Sequence, residues 1–162
     1  MHSRIFELST TPVDEDCRYT SDYVPDWFVD SIADYVQDID IPEEREDDIE
    51  WLASYFHGAC LVSGDMLTFA GDAKEKAFDT LFKEMKARAE KIAKADFDAF
   101  CGKRGLEDLE MDVYHLNDAF SAKYGFYICD YETGSLRTIA AWLRDADLSK
   151  PYYVGGIVDY HT

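Results

Sequence analysis

The sequence predicts an α+β fold built as one domain spanning residues 1–162, with about five helices on a small mixed or mostly antiparallel sheet. Three observations lead there. Apolar residues recur at 3.6-residue spacing in some stretches and alternate in others, without the strict strand-helix-strand order of a parallel α/β fold. The chain is 47% hydrophobic with 10 Phe, 11 Tyr and 3 Trp, too much apolar material for an acidic disordered segment. A chain of this length can bury roughly 70% of its unfolded surface, enough for one core. No internal repeat or low-complexity linker divides it.

The elements follow in order. Arg4 to Ser9 alternates Phe6 and Leu8 with Ile5, Glu7 and Ser9, a strand pattern that Thr10-Thr11-Pro12 ends. After an acidic loop, Pro25 suits a first helical turn, and Phe28, Ile32, Tyr35, Val36 and Ile39 mark an amphipathic helix to residue 39. Pro42 opens a second helix, with Asp40 or Ile41 near its cap, running through Ile49, Leu52, Tyr55 and Phe56 to Gly58. Glu43, Glu44 and Glu46 load its first turn, where acidic side chains favour the helix dipole. Ser63-Gly64-Asp65 between two apolar runs reads as a hairpin turn joining Cys60–Val62 to Met66–Phe69.

Asp72 with Glu75 resembles a capping box opening a long helix with the stripe Phe78, Leu81, Phe82, Met85, Ala89 and Ile92 and a basic opposite face, continuing toward Cys101 until Gly102 and Gly105 interrupt. Leu109, Val113, Leu116 and Phe120 mark another helix. Tyr124–Tyr131 is a strand, Glu132-Thr133-Gly134 a turn, and Ser135 the cap of a helix carrying Leu136, Ile139, Ala140 and Leu143. Tyr152–Tyr160 closes the chain as a strand in which Gly155-Gly156 marks a bulge or close backbone approach. Phe28, Ile32, Leu81, Phe82, Leu116 and Phe120 are the expected core residues on these helical stripes.

No stretch reaches the 18 or so apolar residues that cross a bilayer, and the first residues lack a signal peptide's basic and apolar regions, so a cytoplasmic protein is expected. The cysteines at 17, 60, 101 and 129 form no C-x-x-C pair and read as reduced, mostly buried thiols. No cofactor or metal is expected. His57 and Cys60 stand close at a helix-to-strand junction, yet nothing nearby supplies further ligands or an orienting acid. Asp96 to Glu107 has the length of a calcium loop but places Phe100 where an oxygen ligand belongs and Cys101 where the turn needs glycine. Gly155-Gly156 precedes no helix or Lys-Ser/Thr and is not a phosphate loop. The tyrosines and phenylalanines from Tyr124 onward read as half-buried sheet surface.

Charge carries the functional expectation. Net charge is −18, and residues 12 to 50 hold fifteen acidic side chains against Arg18 and Arg45, a net of −13. Residues 72 to 104 instead hold nine basic and seven acidic. A surface so negative repels nucleic acid and anionic membranes and attracts basic partners. Asp26, Asp30, Asp34 and Asp38 fall at successive i, i+4 positions, where like charges destabilise a helix. Each step climbs about 6 Å on a helix, of the same order as phosphate spacing along a nucleic-acid strand. Glu43, Glu46, Asp47 and Glu50 supply a second row.

The leading expectation is a non-enzymatic protein whose acidic helical face binds a basic partner, such as a nucleic-acid-binding protein. In size and acidity the chain is similar to phage and plasmid antirestriction proteins, a likeness of composition without a shared motif, which implies nucleic-acid mimicry. The alternative is a small adaptor or immunity-type protein that recognises one partner by shape. A third is an enzyme using the His57 and Cys60 region. Mimicry needs the acidic rows on one face, an adaptor needs an exposed apolar patch, and an enzyme needs a pocket with converging polar groups.

Overall fold

A computed structural model describes residues 2–39, 41–103 and 107–162. The fold is α+β: one mixed seven-stranded sheet with helices on both faces. Its strands are β1 (His2–Ser9), β2 (Tyr35–Asp38), β3 (Cys60–Ser63), β4 (Met66–Phe69), β5 (Tyr127–Asp130), β6 (Ser135–Thr138) and β7 (Tyr152–His161). They run in the order β3-β4-β7-β1-β5-β6, with β2 beside the last part of β7. Among the described residues only β1 and β5 pair in parallel; the other pairs are antiparallel.

Successive residues of a strand point to opposite faces, and both faces are covered. On the first, Phe6, Leu8, Ile128 and Val154 pack against Ile49, Leu52 and Ala53 of α2 (Pro42–Ser54) and Ile139, Trp142 and Leu143 of α6 (Ile139–Asp145). On the second, Ile5, Tyr127, Cys129, Val158 and Tyr160 pack against Val24, Phe28 and Ala33, with Phe28 on the short helix α1 (Asp26–Ser31). The rings of Phe28, Tyr127 and Tyr160 meet edge to face at 4.8 to 6.0 Å.

The expected bulge at Gly155-Gly156 makes this two-sided packing possible. The β1–β7 register shifts between Phe6 and Leu8, whose partners are Ile157 and Val154. Before the shift, Tyr152 and Val154 join the first core; after it, Ile157 stays there while Val158 and Tyr160 face the second. The extra residue thus reverses the phase of the strand. Glu7 fills the opening, its Oε2 accepting from the amides of Gly156 at 2.7 Å and Tyr19 at 2.8 Å. Neither glycine tolerates a Cβ, which would stand 2.1 Å from Glu7 Oε2 at Gly155 and 1.8 Å from the Tyr19 carbonyl at Gly156.

Several expectations are corrected. The helix expected over 25–39 ends at Ser31, because the Asp34 amide donates to the His161 carbonyl and Tyr35–Asp38 pairs with β7. Sheet pairing satisfies this backbone better than a helix carrying like charges at every fourth residue. Leu136 lies on β6, not on a helix capped by Ser135; Thr138 caps α6 instead, accepting from the Ala141 amide. The long helix α3 (Ala73–Ala93) starts at Asp72 without a side-chain cap bond, since that carboxylate pairs with Lys76 at 3.0 Å. It stops before a separate turn, α4 (Phe97–Phe100), capped by Asp96. The hairpin of β3 and β4 forms as expected, whereas the strand expected over 124–131 shortens to β5. Asp40 as a cap, Gly105 as a break and the Glu107 side chain lie outside the described residues.

α3 and α5 (Glu107–Ser121) form a hairpin of helices tied by Asp112, which accepts from Arg88 at 2.8 Å and pairs with Lys91 at 2.9 Å. Phe28 is fully buried as expected, but Ile32, Leu81 and Leu116 are only partly so. Phe82 and Phe120 are exposed, at 57% and 60%. Two of the four free thiols, Cys17 and Cys101, are exposed, correcting the expectation that most are buried.

Candidate functional surface

The eight carboxylates expected to form one partner-binding face are divided by the fold. Asp26 and Asp30 stand exposed on α1, over the second face of the sheet. Glu43, Glu46, Asp47 and Glu50 stand exposed on α2, over the first face. The sheet lies between them, so the two rows stand on helices over its opposite faces.

Asp34 and Asp38 have structural work. His161 Nδ1 donates to Asp34 Oδ1 at 2.9 Å, and that bond holds the Asp34 carboxyl below its ordinary range. Asp38 accepts from the Ser21 amide at 2.5 Å and the Ser21 hydroxyl at 3.1 Å, fastening the N-terminal crossing to β2. On α2, acidic residues in the first turn suit the helix dipole. Asp48, on the same helix, is buried and accepts from Arg4 Nε at 2.7 Å, while Arg4 also pairs with Asp159 and stacks 5.6 Å from the Trp51 ring centre. Burial nonetheless raises the Asp48 carboxyl above its ordinary value.

The same dipole account covers Asp26 in the first turn of α1, but not Asp22 or Asp30. From Tyr19 to Glu44 the sequence has no Lys, Arg or His. Asp22, Asp26 and Asp30 are exposed there beside Tyr23 at 70%, Trp27 at 49% and Val29 at 38%, with Tyr35 at 50% at the start of β2. Trp27 rests edge-on against buried Phe28, ring centres 5.7 Å apart, which leaves part of the indole to solvent. The aromatic members of this surface were not singled out in the sequence, where Tyr23 and Trp27 fall outside the helical stripe.

The other sequence candidates separate. The His57 ring nitrogen bonds Thr80 Oγ1 at 2.9 Å, whereas Cys60 is buried and its thiol is pushed up to about 11, so the two make no activated pair. Asp96 caps α4 and Asp98 pairs with Lys103 at 3.0 Å, which commits both to local structure. Among the described residues no three His, Cys, Asp or Glu side chains gather as metal ligands, and no helix is long and apolar enough to cross a membrane.

The helical hairpin adds a feature of another kind. Phe78, Leu81, Phe82 and Met85 of α3 with Ala119 and Phe120 of α5 line an open apolar groove of about 430 Å³, and Ile92, Phe100, Leu109 and Val113 line a second one toward the far end. Neither a family model, nor a curated protein, nor a solved structure matches this chain.

Proposed function

We propose that this chain is a non-enzymatic binding protein that captures a basic segment of a protein partner on the α1 surface. The observation that carries the reading is the set of exposed aromatic rings, Tyr23 and Trp27, beside Asp22, Asp26 and Asp30 in a stretch without a single basic residue. Arginine and lysine side chains use both halves of such a surface: carboxylates take the charge, and ring faces take the cation at close range. The acidic residues of α2 are a second and separate negative surface that raises the encounter rate. The placing of the two rows on helices over opposite faces of the sheet supports local capture of a basic segment.

Titration of an arginine-rich peptide, followed by Trp fluorescence, tests the reading. The parent should bind, and binding should weaken steeply as the Debye length falls from about 10 Å at 0.1 M salt to about 3 Å at 1 M. Equal binding by the Asp26→Asn/Asp30→Asn variant at both salts would make the α1 surface a solvated face and nothing more. The adaptor alternative rests on a specific observation, the exposed apolar face of the hairpin at Phe82 and Phe120.

A further inference from the structure

The edge of β7 that faces away from β1 changes partner along its length. β4 pairs with Tyr152 and Tyr153, and β2 pairs with the stretch from Val158 to His161. Between them Val154 and Gly155 meet no strand on that edge among the described residues. Arg45 of α2 stands in for one. Its guanidinium donates to the carbonyls of Val154 and Gly155, each at 2.7 Å, and to Asp65 Oδ1 at 2.9 and 3.1 Å. The gap in the sheet opens into a cavity of about 310 Å³, at the small end of ligand sites. Ile39, Ile41 and Ile157 supply apolar lining, and Glu15, Arg18 and Asp38 supply charge.

Arg45 is committed to closing the gap, whereas Arg18 is not. Among the described residues its guanidinium makes one polar contact, a long 3.4 Å bond from Nη2 to Asp65 Oδ2. Its Nε–H is shut off from solvent and has no acceptor. A buried donor left in this state is unfavourable, so the cavity lacks an acceptor at Arg18. α2 ends on the same cavity at Ile41 and Pro42 without a side-chain cap, which leaves its first turn short of an acceptor as well.

Charge decides what kind of acceptor fits. A plain anion entering here meets Glu15, which has no ion pair among the described residues, in a chain of net charge −18. Asp38 adds a further negative charge, although Ser21 already donates to both of its oxygens. A ligand with both charges and no net charge escapes this repulsion and uses both side chains. Glu15 and Arg18 stand three residues apart on one turn, the Arg18 amide donating to the Glu15 carbonyl at 3.3 Å, a spacing that suits an ammonium and a carboxylate carried on one carbon. The isoleucines suit an apolar remainder.

We propose that this cavity binds a free α-amino acid with an apolar side chain, its carboxylate accepting from the Arg18 Nε–H and its ammonium donating to Glu15. The site is separate from the α1 surface and does not rest on the function read there.

Calorimetric titration of the parent with leucine, valine and phenylalanine tests the proposal, with leucinamide, N-acetylleucine and glycine as controls. The best of the three amino acids should bind about tenfold more tightly than glycine, and leucine about tenfold more tightly than its amide or its N-acetyl derivative. Arg18→Met, which keeps the apolar stem, should weaken leucine about tenfold, and Glu15→Gln should remove the preference for leucine over N-acetylleucine. The Asp26→Asn/Asp30→Asn variant should bind leucine as the parent does, so failure here is distinguishable from failure of the α1 reading. The ligand series on the parent decides even where a substitution disturbs the fold. No saturable binding of any of the three amino acids overturns the proposal and leaves the Arg18 Nε–H to a water molecule. N-acetylleucine or leucinamide bound as tightly as leucine overturns it too, as does undiminished binding by a folded Arg18→Met variant.

Discussion

Replacing Glu7 by Ala tests how the bulge holds the two faces of the sheet together. Glu7 is 4% exposed, and one of its oxygens accepts from two amides on different segments, Tyr19 in the N-terminal crossing and Gly156 in β7. Removing the carboxylate leaves both N–H groups without their acceptor. Leaving a buried donor unsatisfied costs about 1 to 3 kcal/mol, so two such donors imply roughly 2 to 6 kcal/mol. Desolvation of the carboxylate, relieved in the variant, works the other way. A net loss of about 3 kcal/mol is therefore expected, a large share of the 5 to 15 kcal/mol typical of a folded domain. For a chain of this size it lowers the melting temperature by about 6 to 12 °C. Urea unfolding followed by circular dichroism measures it, and Glu7→Gln, which keeps an acceptor oxygen in place, should lose about half as much. A loss below about 1 kcal/mol in Glu7→Ala would refute the idea that this carboxylate fastens the crossing to the bulge.

Other perturbations should separate buried from exposed positions with similar sequence patterns. Phe28→Ala should cost about 3 to 5 kcal/mol, whereas Phe82→Ala should cost under about 1 kcal/mol, since its ring is already largely in water. A thiol reagent should modify Cys17 and Cys101 in the native protein and reach Cys60 and Cys129 only on unfolding; four rapid reactions would contradict the burial of the last two. Burial pushes the Cys60 thiol up to about 11 and the Cys129 thiol to about 12. An unfolded chain releases these protons near pH 8.5, so stability should be fully held below that pH and fall as pH rises toward 11 and 12. At the acid end, Lys91 and Arg88 hold the Asp112 carboxyl below its ordinary range. That contribution is present above about pH 4 and is lost on further acidification, a loss that Asp112→Asn should reduce in a pH series of melting curves.

Local pattern sufficed wherever a segment's own chemistry decided its structure. The Ser63-Gly64-Asp65 turn, Pro42 at a helix start and the Gly155-Gly156 bulge were all legible, because turn, ring and missing Cβ act over a few residues. The stretch from Ile32 to Ile39 was not. Its apolar residues suit a helix, and only a distant strand, β7, turns Tyr35–Asp38 into sheet. The acidic row was correctly seen as costly on a helix, and the chain avoids that cost by not forming the helix. The same limit explains Phe82 and Phe120: a sequence shows an apolar stripe but not whether a neighbour exists to cover it. In the candidate surface, Asp26 and Asp30 remained exposed, whereas the bonds from His161 to Asp34 and from Ser21 to Asp38 join residues far apart in sequence.

The most direct measurement sets two variants of equal charge side by side. Asp26→Asn/Asp30→Asn and Glu84→Gln/Glu90→Gln each remove two exposed negative charges, the first pair from α1 and the second from α3. An arginine-rich peptide titrated at 0.1 M salt should bind the α1 variant about fivefold more weakly than the parent, from roughly 0.5 kcal/mol per lost charge contact. It should bind the α3 variant nearly as the parent does. Equal weakening in the two variants would mean that the peptide responds only to net charge, and would contradict a binding surface on α1.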